Sequence, residues 1–258
     1  MAEHDHSEVD AYNRAVYESD RVVQEFTELH GLFPVEEHLL SRLVTPGMRV
    51  LDLGVGGGRT TDALASQAST YVALDYSEAM VRNCRAQHPD VDVRLGDAAE
   101  LGEFAACAFD LVVFSYNGID YLHPEAKRER CIAEMARVLA DDGVLIVSTH
   151  NARALLRPVP EHGPGLAAAL KGRLVQVYAT LRLWWRALPS RTTWRGEGYV
   201  RDSASANVMY AVTPERFEAA LARLGLHAEE RVGSRYPTRT SWWVEPWYYL
   251  AARKVGEN

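Results

Sequence analysis

The chain has 258 residues, of which 47% are hydrophobic and 24% are charged, as in ordinary soluble globular proteins. This length suffices for one large α/β domain, or for one domain with a modest insertion. The net charge of −7 argues against a general nucleic-acid binder, and no apolar run approaches the roughly 20 residues of a membrane span, so neither nucleic acid nor a membrane is an expected partner.

The N-terminal segment, residues 1–45, is predicted to be helical and to cover a ligand site. Its first residues are polar and acidic, unlike a signal peptide, which predicts a cytoplasmic protein. Apolar side chains at helical spacing predict a helix over residues 9–29 and a shorter helix over 35–43. His4 and His6 have no partners at metal-ligand spacing, so no metal is predicted.

Strands and helices alternate through residues 46–150. Strands are predicted over residues 49–53, 70–74, 91–95, 109–115 and 144–148, and helices over 59–67, 78–87 and 124–139, with a helical turn from Ala98. A turn over residues 140–143 leads into the fifth strand. The alternation predicts a doubly wound, mostly parallel sheet with helices on both faces.

Residues 151–207 interrupt this alternation and are predicted to be a basic, helical insertion after the fifth strand. Prolines and glycines precede a long helical stretch over residues 166–188. Nine basic against three acidic residues give the segment a charge of +6. The insertion is expected to pack on the core, to form a homodimer or to roof a pocket, and its charge either favours an anionic acceptor or is a solvated face.

The final segment, residues 208–258, is predicted to complete the sheet. Thr213 caps a helix over residues 214–224, which Gly225 ends. Strands follow over residues 227–232 and 247–254, and the last is antiparallel because only a short loop joins the two. The aromatic stretch over residues 236–247 either walls a pocket or packs as a hairpin.

Three cysteines, Cys84, Cys107 and Cys131, lack metal-ligand spacing. Each lies in or beside a predicted core element, and an odd number does not suit a disulfide framework. All three are therefore expected to be small buried side chains in a reducing compartment.

The most informative stretch is an apolar strand that ends in a glycine-rich turn and passes into a helix. Gly54, Gly56, Gly57 and Gly58 allow a sharp turn and leave no Cβ between the backbone and a ligand. A dinucleotide fingerprint would need glycine or alanine where Arg59 stands, and the Walker lysine is absent. NAD is therefore disfavoured.

Polar residues follow the other predicted strands, at the edge of the sheet where doubly wound folds bind ligands. Asp75 follows the second strand, at the position of a carboxylate that accepts hydrogen bonds from two ribose hydroxyls. Asp97 and Ala98 follow the third strand, residues 116–120 follow the fourth, and His150 ends the fifth. These residues are the candidates for a ligand site.

With these motifs in order, the chain resembles the class I S-adenosylmethionine-dependent methyltransferases outside the insertion. The family's first motif is similar to residues 51–58, its second-strand motif to residues 73–80, its third-strand motif to residues 96–98 and its fourth-strand motif to residues 109–113. The resemblance implies an enzyme with a Rossmann-like, seven-stranded sheet whose last strand is antiparallel.

The same resemblance implies the cofactor S-adenosyl-L-methionine and a role for each matching residue. The backbone of the glycine turn would approach the methionine part, Asp75 would hold the ribose, Asp97 would contact the adenine amino group, and Ser115 or Tyr116 would lie near the sulfonium. The implied cofactor residues are Asp52, Gly54, Gly56, Gly58, Asp75, Tyr76, Met80, Asp97, Ala98, Ser115 and Tyr116.

Some of these residues have a structural alternative. Met80 lies at a helical spacing that is equally typical of plain core, and Asp97 is also placed to cap the following turn. Arg59 is either a surface residue of the first helical turn or part of the site.

Three side chains are candidate general bases for methyl transfer: Asp120, His123 and His150. His150 ends the fifth strand and so has the best position for facing an acceptor, although a structural role is open. His123 precedes Pro124 and is equally typical of a helix entry.

The expected acceptor is a small molecule, such as a natural-product intermediate, methylated at oxygen or nitrogen. Residues 115–118 read Ser-Tyr-Asn-Gly, which lacks the Asn/Asp-Pro-Pro-aromatic motif of family members that methylate amino groups of nucleic acids. The candidate substrate residues are Tyr116, Asn117, Trp185, Tyr236 and Trp242. The alternatives are a protein or RNA acceptor, or a repurposed protein that binds the cofactor without methyl transfer.

Overall fold

The computed structural model describes residues 6–154, 195–201, 208–238 and 245–256. Three helices come first: α1 (His6–Tyr17), α2 (Asp20–Glu28) and α3 (Pro34–Leu43). The single helix predicted over residues 9–29 is thus two. Ser19 takes an extended backbone and donates its hydroxyl to the carbonyl of Val16 at 2.6 Å, a local bond that competes with helix continuation.

The central sheet is built as the sequence predicts. Its first four strands are β1 (Arg49–Leu53), β2 (Thr70–Asp75), β3 (Asp92–Leu95) and β4 (Phe109–Phe114), and they run parallel in the order β3-β2-β1-β4. α4 (Thr61–Ala65) lies between β1 and β2, and α5 (Glu78–Gln87) lies between β2 and β3. A 3₁₀ turn (Gly118–Tyr121) and α6 (Glu125–Val138) follow β4. The helix predicted over residues 59–67 is shorter because the glycine turn continues through Gly58, whose φ is +94°.

The fifth strand, β5 (Leu139–Asn151), begins five residues before its predicted start and pairs with β4. The turn predicted over residues 140–143 is part of this strand. Asp142 there has a left-handed φ of +61°, and the pairing shifts register between Phe109 and Leu111. The turn residues therefore produce an irregularity in the strand and do not precede it.

The C-terminal part completes the sheet with more strands than predicted. Its elements are β6 (Glu197–Arg201), β7 (Val208–Val212), α7 (Pro214–Ala222), β8 (Leu226–Gly233) and β9 (Trp247–Lys254). β9 runs antiparallel to both β5 and β8, which confirms the predicted orientation of the last strand. The described residues contribute nine strands to one sheet, and the expectation of seven is wrong because β6 and β7 were missed.

The two missed strands form an antiparallel pair at the border of the predicted insertion. β6 is short and contains Gly198, and β7 is a brief apolar run whose periodicity does not separate strand from helix. β7 meets β5 only at His150 and Asn151. The predicted helix over residues 166–188 lies outside the described residues.

Helices cover both faces of the sheet, because alternate residues of each strand point to opposite sides. Leu51 and Val112 belong to a core cluster with α6 and α7, whereas Val50 and Leu111 belong to a cluster with α3. Among the described residues, no helix is both long and apolar enough to cross a membrane.

The cysteines differ in burial. Cys84 and Cys131 are buried, as predicted, but Cys107 is exposed. Cys107 has a φ of +57° in the loop before β4, so a place next to a core strand did not make it a core residue.

Candidate functional site

A cavity opens at the carboxyl ends of β1, β2, β3 and β4. It encloses about 770 Å³, a volume that includes its open mouth. Strand ends, the glycine turn, the 3₁₀ turn and the N-terminal helices all contribute to its wall. The residues that line the cavity include Asp10, Tyr17, Phe26, Gly54, Gly56, Asp75, Tyr76, Met80, Asp97, Ala98, Ser115, Tyr116, Tyr121 and Lys127.

The glycine turn brings bare backbone to this cavity. Gly54 and Gly56 have φ values of +62° and +56°, a region that side chains other than glycine rarely adopt. A Cβ on Gly54 would lie 2.6 Å from Cε2 of Phe114. Gly58, also predicted to bind the cofactor, does not line this cavity. A Cβ on Gly58 would lie 2.7 Å from Cδ2 of His88.

Asp75 ends β2 at the wall of the cavity. Its Oδ2 accepts from the amide of Gly56 at 2.8 Å and its Oδ1 accepts from the amide of Ser77 at 2.9 Å. Burial raises the pKa of this carboxyl to about 6, and the two backbone hydrogen bonds act in the opposite direction. The carboxylate therefore joins the glycine turn to the start of α5.

Asp52 lies at the end of β1, behind the glycine turn. Its Oδ2 accepts from the hydroxyls of Thr60 at 2.6 Å and Tyr71 at 2.8 Å. Burial raises the pKa of Asp52 to about 6, although both hydroxyls favour the charged form. Oδ1 accepts no hydrogen bond from any residue that the structure describes.

Asp97 and Met80 show the structural roles considered for them and also line the cavity, while their contacts with the adenine stay predictions. Asp97 caps the turn after β3, since its Oδ1 accepts from the amide of Ala99 at 2.9 Å, and it also lines the cavity. Its Oδ2 pairs with Nζ of Lys127 at 2.8 Å. Met80 is 1% exposed, as a core residue would be, yet it too lines the cavity.

The N-terminal helices form the outer wall of the cavity, which no sequence motif marked. Tyr17 packs edge-on against Phe26, Tyr76 and Tyr121, with ring centroids 5.4–6.1 Å apart. α1 is held in place by Asn13, whose Nδ2 donates to the carbonyls of Tyr121 at 3.1 Å and Val208 at 3.0 Å.

Arg59 is a buried residue of the site and not a surface residue. Its guanidinium forms a two-point ion pair with Glu36 of α3, at 2.5 Å and 2.7 Å, and stacks on Phe33 at 4.3 Å. Glu36 also accepts from the hydroxyls of Ser115 and Tyr249. Sequence analysis missed Glu36, whose local signal is only that of a helix start, where it accepts from the amide of Phe33 at 2.7 Å.

A second hollow of about 360 Å³ continues from the cavity on the side of Arg59. It shares Phe26, Gly54, Ser115 and Tyr116 with the main cavity and adds Asp52, Arg59 and Thr60. Tyr116 and Asn117 follow β4 with φ values of +54° and +62°. Two successive non-glycine residues in the left-handed region mark a strained turn between the hollows.

His150, which is partly buried, pairs with the fully buried Asp120, and neither residue lines the two hollows. Nδ1 of His150 lies 2.7 Å from Oδ2 of Asp120, which also accepts from the amide of His150 at 2.7 Å. Oδ1 of Asp120 accepts from the hydroxyl of Thr149 at 2.5 Å, and Asp120 is 0% exposed. The imidazole packs edge-on against Tyr121, a cavity residue, with centroids 6.4 Å apart.

Other predicted residues lie away from both hollows or outside the described chain. His123 packs on Tyr199 with centroids 4.5 Å apart, as a helix-entry residue would. Tyr236 packs on His38 at 4.5 Å, which agrees with the packed-hairpin alternative. Asn117 is buried and lines neither hollow. Trp185 and Trp242 lie outside the described residues.

No group of three His, Cys, Asp or Glu side chains in the described part of the chain is arranged to hold a metal.

Comparison with known proteins matches residues 50–143 to the methyltransferase domain family. A probable S-adenosylmethionine-dependent methyltransferase of Mycolicibacterium smegmatis is 35% identical over 134 residues, which are 51% of this chain and 50% of that protein. A ubiquinone biosynthesis O-methyltransferase of Hahella chejuensis is 32% identical over 132 residues, covering 49% and 54%.

Among solved structures, one similar fold is that of the 1,6-didemethyltoxoflavin-N1-methyltransferase of Burkholderia thailandensis, with bound 1,6-didemethyltoxoflavin and S-adenosylhomocysteine. The TM-score is 0.62 at 17% identity, covering 99% of this chain and 92% of that one. The chain spans about half the length of the Mycolicibacterium smegmatis and Hahella chejuensis proteins. The residues matched to the domain family, 50–143, contain the glycine turn, Asp75 and Asp97.

Proposed function

We propose that the chain is a class I S-adenosylmethionine-dependent methyltransferase, which transfers a methyl group from that cofactor to an oxygen or nitrogen atom of a small molecule. The observation that carries this proposal is the grouping of the glycine turn, Asp75 and Asp97 around one cavity, with the His150–Asp120 pair behind the cavity residue Tyr121. The cytoplasmic location stays a prediction.

The residues that line the cavity fit the cofactor. Backbone without Cβ atoms at Gly54 and Gly56 leaves room for a ligand against the turn, and Asp75 offers carboxylate oxygens that accept from ribose hydroxyls. Met80, Tyr76 and Asp97 provide an apolar and acceptor surface for the adenine. When bound, the cofactor supplies an electrophilic methyl group on a cationic sulfur.

The protein's contribution to such a reaction is positioning and, for a hydroxyl or a protonated amine, removal of a proton. We assign that second role to His150. Because Nδ1 of His150 faces Asp120, the neutral ring donates from Nδ1 and keeps Nε2 as the proton acceptor.

Asp120 is a positioning residue in this assignment and not a base. Both of its oxygens already accept hydrogen bonds, and the side chain is fully buried. It fixes the imidazole's tautomer and stabilises the imidazolium that forms when the proton is taken up. His123, the third candidate, is left in a structural role.

The proposal of a small-molecule acceptor is supported by the names of two similar proteins. The names of the Hahella chejuensis and Burkholderia thailandensis proteins give a small-molecule acceptor in each case, methylated at oxygen and at nitrogen respectively. A dimer through residues 151–207 stays a prediction.

The proposal is tested by incubating the protein with S-adenosylmethionine and a panel of phenols, hydroxy acids and amines. We expect an acceptor to gain the mass of one methyl group in step with formation of S-adenosylhomocysteine. Methylation of proteins or RNA only, or cofactor binding without transfer to any member of the panel, would contradict a small-molecule enzyme.

A further inference from the structure

The cavity and the second hollow meet at a junction of four residues that line both spaces: Phe26, Gly54, Ser115 and Tyr116. In S-adenosylmethionine the sulfur joins the nucleoside to the rest of the molecule. A cofactor whose nucleoside lies beside Asp75 therefore has its cationic sulfur at this junction. None of the four junction residues has a charged side chain, so the junction itself provides no carboxylate to balance that cation.

The junction provides two aromatic rings instead. The ring of Phe26 lies edge to face with that of Tyr116, with centroids 5.8 Å apart and planes at 62°. The guanidinium of Arg59 lies 5.6 Å from the centroid of Tyr116 and so already places a cation over that ring. Among the residues that the structure describes, no cation lies over Phe26. Since the face of an aromatic ring attracts a cation, Phe26 is the ring that is open to a sulfonium.

Phe26 belongs to α2, and α2 reaches the junction because residue 57 is glycine. A Cβ on Gly57 would lie 2.7 Å from the carbonyl oxygen of Phe26 and 2.9 Å from Cα of Thr27, which are backbone atoms of the helix. The φ of Gly57 lies outside the left-handed region, so the close approach of α2, and not the backbone conformation, requires glycine here. The Phe26 ring lies along the same turn, since a Cβ on Gly56 would lie 3.4 Å from its Cδ1.

Hydrogen bonds from α5 hold α2 and the glycine turn together. Nδ2 of Asn83 donates to Oγ1 of Thr27 at 2.8 Å, and Nε2 of Gln87 donates to the carbonyl of Gly57 at 3.1 Å. Neighbouring side chains of one helix thus bind both partners of the close contact. The position of the Phe26 ring over the junction is therefore fixed by the packing of α2 on Gly57.

From these contacts we infer that α2, packed on Gly57, distinguishes the cationic cofactor from its neutral product through the ring of Phe26. Methyl transfer leaves the bonding electron pair on sulfur, which becomes a neutral thioether, so the attraction to the ring is lost once the methyl group has gone. Phe26 is a specificity-determining residue for the charged donor, and Gly57 is a positioning residue that acts through it. The inference rests on the proposed function, because it concerns the cofactor of that reaction.

The first test compares the affinities for S-adenosylmethionine and S-adenosylhomocysteine, measured by calorimetry on the full chain without an acceptor. In Phe26→Leu we expect the affinity for S-adenosylmethionine to fall by about threefold to tenfold and that for S-adenosylhomocysteine to stay within about twofold, because leucine keeps the apolar contact and lacks the ring. Phe26→Tyr keeps the ring and should keep the ratio of the two affinities. Equal weakening of both ligands in Phe26→Leu, or an unchanged ratio, overturns the inference.

The second test separates the packing of α2 from the ring itself. In Gly57→Ala we expect the same change of the affinity ratio as in Phe26→Leu, together with faster hydrogen exchange over residues 20–28, because the added methyl group pushes α2 away. Gly102→Ala is the matched control, since a Cβ on Gly102 would meet nothing within 4 Å, and it should change neither quantity. An unchanged ratio or unchanged exchange in Gly57→Ala would show that Gly57 does not position Phe26. If the unaltered protein binds neither ligand, the proposed function itself is wrong.

Discussion

At the scale of single residues, Asp75 is the link between the glycine turn and the expected ribose. Its two backbone hydrogen bonds keep the carboxylate beside the cavity, while burial makes the charged form less favourable than in water. A ligand that donates hydroxyl protons to this carboxylate favours the charged form. Binding and ionisation of Asp75 are therefore coupled.

We predict that affinity for S-adenosylhomocysteine falls with acidification. The pKa of Asp75 is raised to about 6, so the ionised form that accepts hydroxyls is present above that pH and is lost below it, and affinity should fall by up to about tenfold per pH unit there. Calorimetry from pH 5 to pH 8 measures the effect. In Asp75→Asn the affinity should be at least about tenfold weaker near neutral pH.

Asp52 titrates in the same range, because burial raises its pKa to about 6 as well. Measuring the affinity of Asp75→Asn for S-adenosylhomocysteine across the same pH range distinguishes the contributions of the two carboxyls to the pH dependence. If that variant kept the whole pH dependence of the unaltered protein, the dependence would not come from Asp75.

The His150–Asp120 pair gives a second prediction. Once an acceptor is found, His150→Gln should lower kcat by about 100-fold or more, as for loss of a general base, with little change in affinity for S-adenosylhomocysteine. The rate of the unaltered protein is measured against pH beside that of the variant, which we expect to be slower at every pH. Asp120→Asn should lower the rate and change the profile without abolishing binding.

His227 provides the matched control, since it is an exposed histidine at the opposite end of the sheet, paired in register with Arg253. His227→Gln should leave both rate and profile unchanged. Full turnover by His150→Gln across the pH range would exclude His150 as the base.

At the scale of elements, the sequence predicted correctly the bounds of those helices and strands that local hydrogen bonds and turns determine. α5 has its predicted bounds because Ser77 caps it through a hydrogen bond from the amide of Met80 at 3.2 Å, and β9 matches because its apolar run is long and bounded by turns. β6 and β7 escaped prediction because such short strands are stabilised mainly by pairing with each other. The break between α1 and α2 depends on one serine side chain.

The attachment of α1 to the cavity gives a third prediction. Asn13 is 0% exposed, and Asn13→Ala would leave the carbonyls of Tyr121 and Val208 without its Nδ2, at a cost of ~1–3 kcal/mol in the free energy of unfolding. We also expect faster hydrogen exchange in α1 and weaker binding of S-adenosylhomocysteine, because Asp10 and Tyr17 on this helix line the cavity.

Tyr12 on the same helix is 46% exposed, so Tyr12→Ala should change the unfolding free energy by less than ~0.5 kcal/mol. Denaturant unfolding and hydrogen exchange measure both variants. Equal unfolding free energies and equal exchange rates in the two variants would mean that Asn13 does not hold α1 in place.

At the scale of the whole molecule, the site is assembled from distant parts of the chain. The residues after the parallel strands were predicted because the topology of a doubly wound sheet brings strand ends together. The N-terminal helices were expected to cover a ligand site, but their lining residues, the Lys127–Asp97 pair and Glu36 were not predicted, because helical periodicity shows that a face is buried but not what it covers. The acceptor side was predicted least, since its candidates fall mainly in residues 151–207 and in the loop before β9.

The central claim is that the cavity beside the glycine turn and Asp75 binds S-adenosylmethionine. Its most direct test is a calorimetric titration of the full chain with S-adenosylhomocysteine and, in parallel, with NAD. We predict saturable binding of one S-adenosylhomocysteine per chain, weakened about tenfold or more in Asp75→Ala, and no binding of NAD. Binding of NAD without S-adenosylhomocysteine, or an unchanged affinity in Asp75→Ala, would contradict the claim.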